Sequence, residues 1–170
     1  MPKYPVILAA VTVGVSLLLT GCSAPAKSPA TPKAAPTPSA TPKAVTASAI
    51  SMYLQAKVPQ VTKVIQITED NDPNNLIGRP NEYSQAATLY DSRTPCTDLG
   101  ADCGATIEIW PTAAMATARG KYIQKELKAY PILGPEYDLV HGTALLRVTG
   151  VMKPTDEAGY ATAWAAYFTS

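Results

Sequence analysis

Histidine occurs once in this chain, at His141, and phenylalanine once, at Phe168. Nucleophilic catalysis of the Ser-His-acid kind needs a base beside the nucleophile. No Gly-x-Ser-x-Gly elbow is present to supply the nucleophile. His141 precedes Gly142 in what reads as a hairpin, so it is expected to be a strand-end residue, and no catalytic residue is assigned. A cluster of Lys and Arg is also lacking. Residues 47–170 hold ten basic against thirteen acidic side chains, which excludes a nucleic-acid-binding face and leaves the small positive surplus to the N-terminal part. Nor is any apolar run long enough to span a bilayer. Residues 6–19 form an uncharged apolar run, and a spanning helix needs about 20 apolar residues.

That short run follows Lys3 and ends at Leu19-Thr20-Gly21-Cys22. The tetrapeptide resembles the lipobox of bacterial lipoproteins, whose cysteine accepts diacylglycerol. The resemblance implies a signal peptide over 1–21, cleavage between Gly21 and Cys22, and lipidation of Cys22. It also implies attachment to the extracytoplasmic face of the plasma membrane. Two acyl chains give a stable anchor where one would be marginal.

Residues 22–46 are then read as a linker of Ala, Pro, Ser, Thr and Lys with little to bury. At about 3.1 Å per residue in extended polyproline form, it reaches roughly 70 Å from the membrane, a distance suited to a cell-wall or surface-protein partner. Lys27, Lys33 and Lys43 in it are read as solvated charge, with weak binding to anionic lipid or wall polymer as the competing role. Once Cys22 is lipidated, Cys96 and Cys103 remain. In an oxidising compartment they are expected to form a disulfide. The competing metal site, with Asp98 and Asp102, offers too few Cys or His ligands for structural zinc.

Residues 47–170 are read as one globular domain with eight elements. A helix over 49–57 presents Ile50, Tyr53, Leu54 and Val58 on one face and stops at Pro59. Strands over 61–68, 85–91 and 105–110 follow, then a helix capped by Thr112 with Ala116, Gly120, Ile123, Leu127 and Tyr130 at helical spacing. After a hairpin, Pro154 opens a last helix with Asp156 and Glu157 in its first turn and Ala161, Trp164 and Phe168 as its buried stripe. The order αβββαββα predicts an α+β fold, a mostly antiparallel five-stranded sheet with helices packed on one face. Gly142-Thr143 suits a type II′ turn, which pairs His141 with Ala144, Leu139 with Leu146, Asp138 with Arg147 and Tyr137 with Val148.

The runs Asp72-Pro73-Asn74, Leu76-Ile77-Gly78-Arg79-Pro80, Tyr83 and Asp91-Ser92-Arg93 stand early in the domain. Tyr137, Val140-His141-Gly142 and Leu145-Leu146-Arg147-Val148 follow far downstream. Together they resemble a set of small exported lipoproteins of actinobacteria. That resemblance supports export and the domain boundaries and supplies no catalytic residue.

The longest connection, 69–84, is the expected ligand-binding segment, with Asp70, Asp72, Asn74, Arg79 and Tyr83 as candidates. Asp70, Asp72 and Asn74 match the first ligand positions of an EF-hand loop, but Asn75 replaces its turn glycine and Glu82 falls one place too late. No metal or cofactor is therefore expected. The plainer reading is a turn at 72–75 with Arg79 paired to an acid. Three functions follow as expectations: a non-catalytic binding or interaction module, a wall- or glycan-directed hydrolase using Glu69, Asp70, Asp72 or Glu82, and a structural accessory protein.

Overall fold

The structure, a computed structural model, describes residues 43–169. The signal segment, Cys22, Lys27, Lys33 and the linker up to residue 42 lie outside the described residues.

Thr46 starts the first helix, α1 (Ala47–Lys57), because its side-chain oxygen accepts from the Ala49 N–H. Domain contacts begin slightly before residue 47. The Lys43 ammonium sits over the rings of Tyr53 and Tyr167, and the Ala44 carbonyl accepts from the Tyr167 hydroxyl. The strands are β1 (Val61–Ile67), β2 (Gln85–Asp91), β3 (Gly104–Ile109), β4 (Glu136–His141) and β5 (Ala144–Thr149). Helix α2 (Ala113–Ala129) links β3 to β4, and α3 (Pro154–Thr169) closes the domain. Thr112 caps α2 by accepting from the Met115 N–H. Pro154 opens α3, with Asp156 and Glu157 in its first turn.

The five strands lie in the order β1-β2-β3-β5-β4, and every pair is antiparallel. The fold is thus α+β with the expected αβββαββα order. The hairpin keeps the expected register, with His141 opposite Ala144 and Asp138 opposite Arg147. Gly142 has φ 55 while Thr143 is not in the left-handed region, which is the pattern a type II′ turn requires. At the start of β3, Gly104 has φ 145, and a Cβ there would stand 2.7 Å from the Asp91 Cβ. Only glycine fits against β2 at that point.

One expectation is corrected. The helices do not share one face. Ala105, Ile107, Leu146 and Val148 pack with Ile50 and Leu54 of α1 and with Tyr160, Trp164 and Tyr167 of α3. Side chains at alternate positions point the opposite way. There Leu145, Ala86, Ile67 and Trp110 pack with Ala116 and Ile123 of α2. The physical reason lies in β3 and β5: all six residues of β3, and all of β5 except the half-buried Arg147, are buried, the mark of strands covered on both sides. The α3 stripe shifts as well. Tyr160, Ala163, Trp164 and Tyr167 are buried, whereas Ala161 and Phe168 are half-buried.

Among the described residues no helix is long and apolar enough to cross a membrane.

Candidate functional site

The face of the sheet that carries α2 contains a row of polar residues. Pairing sets Thr88, Thr106, Arg147 and Asp138 side by side across β2, β3, β5 and β4. Glu108 stands in the next row and is fully buried. A buried carboxylate survives only with partners, and Glu108 has three. Its Oε1 accepts from Arg147 at 3.0 Å, its Oε2 accepts from the Trp110 indole at 3.0 Å, and the Arg119 Nε lies 3.5 Å from Oε2. Arg147 also donates from Nε and the second terminal nitrogen to Glu136, at 2.9 and 2.8 Å. Burial alone would lower the Arg147 pKa, but its bonds to Glu136 and the charges of Glu136 and Glu108 outweigh that and raise it. Although Asp138 lies opposite Arg147, it takes its bond from Gln124 at 2.9 Å. Burial pushes its carboxyl up to about 6.

Beside this row is a cavity of about 160 Å³. Thr88, Thr106 and Arg147 line it from the sheet, and Asp72, Asn74 and Tyr83 from the 69–84 segment. The threonine hydroxyls are 3.3 Å apart and buried. Leu99 and Ala101 come from the segment closed by the disulfide between Cys96 and Cys103, whose Cα atoms are 4.3 Å apart. Cys103 is fully buried, and its carbonyl accepts from the Thr94 hydroxyl. The bonded sulfurs also dispose of the alternative thiolate metal site.

Three of the five candidates in the 69–84 segment therefore reach the cavity: Asp72, Asn74 and Tyr83. They do so mainly as its wall. Asp72 Oδ1 accepts from the Asn74 N–H and the Tyr83 hydroxyl, while Oδ2 accepts from the Leu76 and Ile77 N–H groups. Burial pushes the Asp72 carboxyl up, but the Tyr83 bond and the three backbone bonds outweigh it and hold the group below the usual carboxylate range. The Tyr83 phenol is pushed well above its ordinary value by burial and by the bond to Asp72, and its ring packs edge-on against Trp110.

Asp70 and Arg79 are exposed and lie outside this network. The expected Arg79 ion pair is corrected, since among the described residues Arg79 makes none. The turn is pinned from within by Asp72, which the backbone N–H groups can reach without ordering a long side chain. Among the described residues no three His, Cys, Asp or Glu side chains are grouped to hold a metal ion. His141 is exposed at the hairpin end and stacks on Phe168 at 3.9 Å, on the opposite face from the cavity.

The residues that sequence reasoning missed are Thr88, Thr106, Glu108, Arg119, Glu136 and Arg147. A signal existed in Ala86, Trp110 and Leu145, which share the face of Glu108 and are too apolar for a solvated surface.

Compared with family models, with the curated proteins and with the solved structures, the chain finds no significant match in any of the three.

Proposed function

We propose that this chain is an exported lipoprotein, anchored through lipid on Cys22 and related to the small actinobacterial lipoproteins it resembles. Its domain acts as a non-catalytic binding module at the cell surface. The ligand is small, polar and uncharged, a hydroxyl- or amide-bearing group such as the cell wall presents, seated over Thr88 and Thr106.

The compensated charge beside the cavity carries this reading. Arg147 spends three of its five N–H groups on Glu108 and Glu136, Arg119 beside Glu108 balances the second carboxylate, and the Asp72 carboxylate is already taken by four protein donors, so the set favours neither an anion nor a cation. Two guanidinium N–H groups and a pair of hydroxyls remain to orient a neutral partner, in a cavity whose walls are held by Asp72 and by the disulfide. The hydrolase alternative finds less support. Both oxygens of Asp72 already accept from protein donors, and Asp70 stands exposed.

Two measurements test the proposal. Mass spectrometry of protein taken from the membrane should find Cys22 acylated at a new N-terminus, and Cys22→Ser should abolish this; an unmodified mature Cys22 overturns the anchor. Calorimetry against neutral wall fragments should find a binder whose affinity falls at least tenfold in Thr106→Val. A ligand indifferent to Thr106→Val and Thr88→Val places binding elsewhere.

A further inference from the structure

The C-terminal end of α2 carries an apolar projection that the domain leaves uncovered. Tyr130, Ile132 and Leu133 are 57%, 93% and 59% exposed. Pro131–Leu133 form a single tight turn, closed by the Gly134 N–H donating to the Pro131 carbonyl, with Gly134 at φ 78. The projection is therefore a rigid, convex knuckle.

Its charge setting differs from the rest of the domain. Lys121, Lys125 and Lys128 recur at helical spacing on the exposed side of α2, opposite Ala116, Gly120 and Ile123. Among the described residues none of the three lysines is in an ion pair. Residues 113–135 hold four basic side chains against one acid, Glu126, while the remainder of 47–170 holds six against twelve. The positive charge is thus concentrated beside the apolar knuckle.

We propose that this knuckle is a second membrane contact: Tyr130, Ile132 and Leu133 enter the headgroup boundary of an anionic bilayer while Lys128, Lys125 and Lys121 lie on its phosphates. Size and shape favour a bilayer over a protein partner. Three side chains on a convex turn fall well short of the roughly 800 Å² per partner that a stable protein interface buries. A bilayer accepts a small apolar wedge, and lysines on its flanks add electrostatic attraction to anionic lipid. Tyrosine suits the boundary because its ring is apolar and its hydroxyl polar. The inference rests on the lipid-anchor reading for proximity, though not for its chemistry.

The test uses the acylated protein in vesicles of phosphatidylglycerol and phosphatidylcholine that contain brominated lipid. Ile132→Trp places a reporter on the knuckle, and the two native tryptophans, Trp110 and Trp164, are 7% and 5% exposed and give a constant background. The substitution changes an outward side chain, and an unchanged circular dichroism spectrum checks the fold. Quenching of the new emission should exceed that of the unsubstituted protein at least threefold with anionic lipid. It should fall to background when Lys121, Lys125 and Lys128 are changed to Ser together.

The unacylated Cys22→Ser chain from residue 22 should still sediment with anionic vesicles, at least fivefold less after Ile132→Ser. Absence of quenching in acylated protein overturns the inference, as does quenching equal in neutral and anionic vesicles, or a knuckle that cross-links to a protein while showing no response to lipid. A chain that lacks acylation in cells yet binds vesicles through Ile132 overturns the anchor and leaves the knuckle standing.

Discussion

The two faces of the sheet are built from neighbouring residues and by opposite means. Toward α1 and α3, Ala105, Ile107, Leu146 and Val148 meet a mainly apolar layer, whose buried Asp91 accepts from the Tyr160 hydroxyl and pairs with Arg93. One position along the same strands, Thr106, Glu108, Arg147 and Thr149 point toward α2 and the 69–84 segment. The apolar face gains stability from area removed from water, which is tolerant of direction. The polar face gains it only while every partner stays in place, because a buried charge is costly once uncompensated. Such a face specifies geometry more tightly than it stabilises, which suits the binding role proposed for it.

Leu146 and Arg147 put this contrast to its strongest test. Leu146→Ala should cost about 2 to 5 kcal/mol through the cavity it leaves. Arg147→Ala should cost about 3 to 5 kcal/mol by stranding Glu108 and Glu136. The distinguishing step is rescue. Replacing the whole set, with Glu108→Leu, Glu136→Leu and Arg147→Met together, should regain most of the loss in urea unfolding, since apolar groups of similar volume need no partner. A triple variant no more stable than Arg147→Ala breaks the contrast.

The disulfide bears on the polar face, because Leu99 and Ala101 reach the cavity from the segment it closes. Changing both Cys96 and Cys103 to Ser should lower stability by about 2 to 3 kcal/mol in the chain-entropy model. Reduction of the unaltered protein should cost the same stability in urea unfolding. Tyr83→Phe is milder. It removes the hydroxyl that donates to Asp72 and accepts from Asn74, and should cost about 1 to 1.5 kcal/mol. A loss of affinity for the proposed neutral ligand larger than this stability change would show that the wall positions that ligand as well as holding the turn.

The element order and the hairpin register were legible because they depend on local chemistry. Pro59, Thr112, Gly142 and Pro154 act within a few residues of themselves, and a one-residue slip would have turned Leu139 and Leu146 out of the core. The division of helices between two faces was not local. Glu108 sits between Ile107 and Ile109, so alternation alone assigns it to water; only the long-range approach of Arg147, Arg119 and Trp110 makes its burial tolerable. Of the candidates read in the 69–84 segment, Asp72, Asn74 and Tyr83 line the cavity. Its floor, Thr88 and Thr106, looked like ordinary strand residues because a hydroxyl pair becomes a feature only when β2 and β3 are set in register.

Asp138 is the polar face's weak point, and it tests the contrast most finely. Gln124 donates to its Oδ2, while its Oδ1 is buried with no hydrogen-bond partner. Burial raises the carboxyl from 3.8 to about 6. A carboxyl that holds its proton more tightly in the folded state favours folding while protonated, so this contribution is complete below pH 3.8 and is lost as the pH rises toward 6. Asp72 and Asp91 have lowered values, so their contributions are present above the usual carboxylate range and lost only as the pH falls below it. These two contributions begin to fall below about pH 5 in the unaltered protein and in an Asp138 variant alike, so the difference between the two proteins isolates Asp138. Asp138→Asn keeps the acceptor for Gln124 and removes the charge. Its amide nitrogen gains no evident acceptor, so the net gain should be modest, about 1 kcal/mol at pH 8 and none at pH 4. Urea unfolding of both proteins at pH 4, 6 and 8 measures it, and a difference that stays the same across the three would mean that Asp138 is ionised in the fold without penalty and that even this corner of the polar face is fully compensated.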